Sequence, residues 1–159
     1  GEDYGQGVRE DRALKAVIPG GSSCPILMPD EIDVAMDFDA LRAAGSLFGT
    51  GGVIVMDEQT CMVRVAANLA HFYHVESCGQ CTPCREGAGW MRRLLEKFEH
   101  GTAQRSEIDL VLNVCDNIEG HTICPHGDAL AMVVRRIVQR FRPEFEAHVA
   151  EGGCSFPEW

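Results

Sequence analysis

Three cysteines spaced by three, Cys78, Cys81 and Cys84 in the stretch ESCGQCTPCREG, constrain this chain more than any other feature. Thiols at i, i+3 and i+6, in a loop that leads into a helix, converge on one small centre instead of lying along a line. A cubane centre needs a fourth ligand. Cys-x2-Cys-x2-Cys with a later Cys-Pro is the ligation logic of [4Fe–4S] proteins, and Cys124-Pro125 in HTICPHGD is the only remaining cysteine in that setting. The spacing predicts Cys78, Cys81, Cys84 and Cys124 as cluster ligands.

Electrostatics favour the same set. Four thiolates on an oxidised [4Fe–4S] core leave a net charge of about −2, which helix N-termini are suited to stabilise. Thr82 is expected as an N-cap with Pro83 at the first helical position, so that Cys84 lies in the first turn, and Cys124-Pro125 stands at the start of a later helix. Backbone N–H groups there are free to hydrogen-bond sulfur.

Other chemistries remain open at this point. Structural zinc usually takes two Cys-x2-Cys knuckles, whereas this chain has one triplet and one distant singlet. A thioredoxin-like Cys-x-x-Cys leaves the third thiol unexplained. His121 and His126 flank Cys124 and read as satisfied or exposed histidines; His71 and His74 read as donors to the site or as polar surface residues. Cys61 and Cys115 sit among apolar residues and read as small buried hydrophobes, while Cys24 and Cys154 read as incidental thiols. The glycines of PGGSS and FGTGG lack the spacing of a nucleotide-binding loop and read as turns. No nucleophile–base pair suggests hydrolysis.

Around the cysteines the chain of 159 residues, 45% hydrophobic and 24% charged, has the composition of a globular protein. Its net charge of −10, without any basic run interleaved with aromatics, argues against nucleic acid and anionic membrane surfaces and for protein partners. No apolar stretch approaches the roughly 20 residues of a membrane span, and the N-terminus does not read as a signal or transit peptide, which predicts no membrane insertion and a cytoplasmic location. A start at Gly1 reads as an expression scar or a fragment of a longer polypeptide.

Periodicity divides the chain. Residues 1–12 read as a flexible lead-in. Residues 13–57 read as a small α+β unit: a strand over 15–19, a second candidate over 26–28, a short helix from Phe38, and a β-branched run over 53–56 suited to a buried strand. Residues 58–148 change to helical spacing and predict four helices in a compact bundle, with PEFEAHVAE from Pro143 open to resuming as a short helix and residues 149–159 as a tail. The expected stripes are Cys61/Val65/Leu69/Phe72 with Met62, Ala66 and Tyr73 beside it, then Trp90/Met91/Leu94/Leu95/Phe98, then Ile108/Val111/Leu112/Cys115/Ile118 behind Ser106 as N-cap, and finally Leu130/Val133/Val134/Ile137/Phe141. The fold class is α+β.

ESCGQCTPCREG, followed by IEGHTICPHGDA and preceded by LKAVIPGGSS and AGSLFGTGGVIVMDEQTCMV, closely resembles the C-terminal part of the NADH-binding flavoprotein (F or 51 kDa) subunits of respiratory complex I. The resemblance runs from about Ala13 to Phe145. It implies a partial ubiquitin-like, ligand-binding β-grasp segment followed by the helical bundle. It also implies that Cys78, Cys81, Cys84 and Cys124 ligate a [4Fe–4S] cluster taking electrons from FMN reduced by NADH and relaying them toward quinone. FMN and NADH belong, in that family, to a larger α/β domain preceding the β-grasp unit, so the chain is expected to be a segment inactive alone. The implied partners are other subunits of the complex I peripheral arm, on the cytoplasmic side of the bacterial inner membrane. Residues after Cys124 depart from the family where a Trp-Pro pair is expected. Diaphorase subunits of NAD-linked hydrogenases and formate dehydrogenases share the cysteine pattern. The alternative from another class is a zinc-bound or metal-free helical interaction module.

Overall fold

The computed structural model describes residues 7–156 and is α+β: six α-helices and one two-stranded sheet among those residues, divided after Thr60 into two compact units. The lead-in expected over 1–12 lies partly outside the described residues. Within it, Arg9–Asp11 forms a single 3-10 turn.

In the first unit, β1 (Leu14–Ile18) pairs antiparallel with β2 (Ile54–Asp57), with Val17 opposite Val55 and Ile18 opposite Ile54. The other edge of β1 is met only at Leu27, whose N–H and carbonyl exchange bonds with Val17. The second candidate strand is therefore a single bridge, because Pro25 and Pro29 on either side of residues 26–28 remove ladder donors. Helix α1 (Phe38–Ala43) starts where the Asp37 carboxylate accepts the Ala40 N–H at 2.7 Å. The β-branched run before Asp57 is not a buried strand. Val53, Ile54 and Val55 are about half exposed and only Met56 is buried, since so small a sheet leaves them uncovered. Gly20 and Gly49 lie at a close backbone crossing: a Cβ on Gly49 would stand 2.1 Å from the Gly20 carbonyl oxygen, which makes the PGGSS and FGTGG turns partners in one loop contact.

The second unit consists of α2 (Met62–Val75), α3 (Thr82–Glu99), α4 (Ser106–Ile118), α5 (Pro125–Arg140) and α6 (Arg142–Glu151). Helix α2 packs on α3 and α5, α4 packs on the same two, and α6 crosses the far end. The α5 stripe is buried as expected, as are Met91, Leu95 and Phe98 on α3 and Ile108, Val111, Cys115 and Ile118 on α4. The α2 face is rotated from the expected stripe toward its flank: Cys61, Met62, Ala66 and Tyr73 are buried as read and Val63, Ala67 and Ala70 join them, whereas Val65 and Leu69 are not among the buried residues and Phe72 is exposed. Trp90 also points outward. Small residues win on α2 because they let it approach α3 closely; a Cβ at Gly89 of α3 would lie only 3.3 Å from the His74 ring. The α4 entry also differs, with Arg105 as the boundary residue and the Gln104 N–H donating to the Glu107 carboxylate at 2.7 Å. At the far end Phe98 meets Phe145 edge to face, with ring centroids 5.4 Å apart.

Candidate metal centre

Helices α3 and α5 begin alike. Each has a cysteine at the N-cap, Cys81 and Cys124, each has proline at the first or second helical position, and neither N-cap makes a side-chain capping bond. Thr82, expected as the cap, is instead the first residue of α3, which puts the thiol of Cys81 where a hydroxyl would ordinarily sit. The free N–H groups of two helix ends are thus associated with two of the four candidate ligands.

Close packing joins these ends. A Cβ at Gly127, in the first turn of α5, would lie 2.7 Å from Thr122 Cγ2, 3.1 Å from Ile118 Cγ2 and 3.2 Å from Cys84 Cβ. Only glycine admits Cys84 so near the start of α5. One turn along α3, Gly87 plays the same part toward Ile118, whose side chain lies 2.6 Å from the position of the missing Cβ. Burial pushes the Cys84 thiol up, the Ser77 hydroxyl 3.3 Å from Sγ offsets part of that, and negative charge on Cys81, Cys124 and Cys78 pushes it further up. Cys84 is buried, Cys81 intermediate, and Cys78 and Cys124 exposed.

The flanking loops have further bonds of their own. Ser77 Oγ accepts the Gly79 N–H, and Arg85 reaches back to the Gly79 carbonyl at 2.8 Å. Before α5, the Asp128 carboxylate accepts the Gly120 N–H at 2.9 Å and lies 3.0 Å from the Thr122 hydroxyl. The neighbouring histidines are occupied: His126 Nε2 bonds the Tyr73 carbonyl at 3.0 Å with its ring beside Tyr73, and His121 Nδ1 lies 2.9 Å from the Glu119 carbonyl. His71 is exposed, whereas His74 turns a buried, unpartnered Nδ1 toward the α2–α3 joint. Cys115 is wholly buried and burial pushes its thiol up to about 12, the behaviour of a small core hydrophobe.

Residues 64–148, more than half of the chain, match the family described as the NADH-ubiquinone oxidoreductase-F iron-sulfur binding region. The chain belongs to this family. It is 54% identical over 149 residues, or 93% of its length, to the F subunit of NADH-quinone oxidoreductase from Rickettsia felis. It is 44% identical over 155 residues, or 98% of its length, to the F subunit numbered 2 of NADH-quinone oxidoreductase from Rhizobium meliloti. It spans 35% and 37% of those relatives, about a third of their length. Among solved structures, an NAD+-reducing [NiFe]-hydrogenase in the air-oxidized state matches 87% of the chain, and 24% of its own, at 27% identity and a TM-score of 0.77. Thiols at two helix N-termini, Cys81 and Cys124, with Cys84 packed beside the second of them, are donors suited to the iron–sulfur binding that defines the family.

Proposed function

We propose that Cys78, Cys81, Cys84 and Cys124 hold a [4Fe–4S] cluster and that the chain is the electron-transfer segment of an NADH-quinone oxidoreductase F subunit. The observation that carries this reading is the close approach of the first turn of α5 to Cys84, 3.2 Å from a Cβ at Gly127, with Cys81 and Cys124 at two uncapped helix starts. When bound, such a cluster supplies a one-electron relay, accepting electrons from FMN reduced by NADH and passing them toward quinone.

The chain's own residues hold and tune that site. N–H groups at the starts of α3 and α5 provide positive potential for an anionic centre, and Ser77 offers a hydroxyl to the Cys84 sulfur. Cys84, Ile118 and Gly127 exclude water from the inner side. On the outer side Cys78 and Cys124 stay accessible, beside Ile123 at 78% exposure and near Val75 at 61%. Exposed apolar side chains at that position support an interface with other parts of the parent enzyme, where FMN and NADH bind, and with neighbouring subunits of the peripheral arm.

The finer architecture follows the same reading: a partial β-grasp segment over 13–57 and a four-helix cluster-binding bundle over 58–148. A peripheral position on the cytoplasmic side of the bacterial inner membrane is compatible with helices of which none, among the described residues, is long and apolar enough to cross a membrane. The fold likeness to an NAD+-reducing hydrogenase supports a second reading, a diaphorase subunit, while the much higher identity to quinone oxidoreductase subunits favours the first.

Anaerobic purification followed by visible absorption and iron and sulfide analysis tests the proposal. Broad charge-transfer absorption with about four irons and about four sulfides per chain is the expected result. Zinc without sulfide at these four cysteines, after anaerobic reconstitution, would reject the cluster for the zinc-bound module.

A further inference from the structure

A second set of ligand-type side chains lies at the opposite end of the helical unit from the α3 and α5 N-termini. Cys61 Sγ, a Glu99 carboxylate oxygen, a His148 ring nitrogen and Cys154 Sγ all lie within 4.8 Å of one another. Three separate pieces of chain meet there: the N-cap of α2, the last residue of α3, and the α6 segment with the turn beyond it. We propose that Cys61, Glu99, His148 and Cys154 form a zinc site, distinct from the iron–sulfur site, that pins the end of α6 to α2 and α3.

Each donor is prepared for that role. His148, buried to 1% exposure, donates Nδ1–H to the Glu144 carbonyl at 2.7 Å, which leaves the Nε2 lone pair directed at Cys61 Sγ, 3.3 Å away. Ligating histidines are commonly oriented by such a bond from the other ring nitrogen. Glu99 accepts Arg64 Nε on Oε1 at 2.9 Å, while its Oε2 is buried and has no partner. Cys61 caps α2 and receives the Arg64 N–H at 3.4 Å, but burial outweighs that bond and pushes its thiol up to about 12, so the proton stays until a metal displaces it. The tail is bent back to meet them: Gly152 ends α6 with φ 74°, and a Cβ at Gly101 would lie 1.9 Å from the Gly152 carbonyl oxygen, so glycine is required where the α3–α4 turn touches the tail.

Size and charge agree with zinc. Tetrahedral bonds of about 2.0–2.3 Å give ligand–ligand edges of about 3.3–3.8 Å, so small side-chain adjustments bring the four atoms into range. Two thiolates, one carboxylate and a neutral imidazole around a divalent ion leave one negative charge, and the Arg64 guanidinium beside Glu99 neutralises it. Two thiol protons leave on binding, and no electron is transferred. Four protein ligands make a closed site, which assigns it structure rather than catalysis.

Zinc and cobalt binding to the full 159-residue chain test the proposal, in a Cys124→Ser background so that binding there is distinguished from the iron–sulfur site. The expected result is about one equivalent of zinc, a tetrahedral thiolate-type cobalt spectrum, and zinc protection of Cys61 and Cys154 against alkylation. Cys154→Ser, at a half-buried residue whose loss spares the core, should weaken zinc binding at least about tenfold, and Glu99→Gln should weaken it less. Wild-type zinc affinity in Cys154→Ser, or a Cys61–Cys154 disulfide recovered from zinc-treated protein, would overturn the assignment. Neither outcome bears on the cluster ligands.

Discussion

Gly127→Ala probes the joint that brings the cysteines together. The added methyl would meet Thr122 Cγ2 at 2.7 Å, Ile118 Cγ2 at 3.1 Å and Cys84 Cβ at 3.2 Å. Ile118 and Cys84 are buried, so the start of α5 must move outward. Overpacking of this kind costs about 1–3 kcal/mol, while exchanging Gly for Ala in a helix returns up to about 1 kcal/mol, and less in a first turn. The net expectation is a loss of about 1–2 kcal/mol in urea unfolding of the apo chain, with lower iron content after reconstitution because Cys124 moves away from Cys84. Adding Thr122→Ser removes the nearest methyl and keeps the hydroxyl, and should recover part of both losses. A Gly127→Ala chain with undiminished stability and full iron loading would refute the claim that close approach of α5 to Cys84 assembles the site.

Other consequences are separable. Phe98→Ala removes a fully buried ring from its edge-to-face contact with Phe145 and should cost about 3–5 kcal/mol in chemical denaturation, with Phe98→Leu costing less. Glu107 is held below its usual range first by the ammonium of Lys97 and then by the Gln104 N–H, so its contribution to stability is full above about pH 4.5 and is lost as pH falls through the depressed value. Glu107→Gln should therefore be less stable than the parent at pH 7, and denaturation at pH 3 should show the gap narrowed; a constant gap would contradict the ion-pair account.

Part of this arrangement is legible in the residues alone. On α5, large aliphatics at Leu130, Val133, Val134 and Ile137 carry the core face, so periodicity is enough to locate it. On α2 the same rule puts Val65, Leu69 and Phe72 ahead of Ala66 and passes over Ala67 and Ala70, because residue hydrophobicity ranks size, whereas a close helix–helix contact selects smallness. The exposed run over 53–55 misleads in a similar way: β-branched residues signal a strand, but burial depends on how much sheet and helix surround it. The cysteine triplet and Cys124-Pro125 are readable because ligand spacing and a following proline are local signals. Gly87 and Gly127, which permit the approach of the two helix starts, are not, since nothing local tells a packing glycine from a breaker. Cys61 and His148, 87 residues apart, carry no shared local signal, because the packing of α6 against α2 sets them side by side, and Cys154 joins them only through the bend at Gly152.

Electron paramagnetic resonance of the reduced, reconstituted chain, compared between Cys124→Ser and Cys115→Ser, tests the central claim most directly. Cys124 stands at the start of α5 in the proposed ligand set, whereas Cys115 is sealed in the core. The account predicts a [4Fe–4S] signal retained in Cys115→Ser and lost or converted, with reduced iron, in Cys124→Ser. An unchanged signal and unchanged iron content in Cys124→Ser would contradict it.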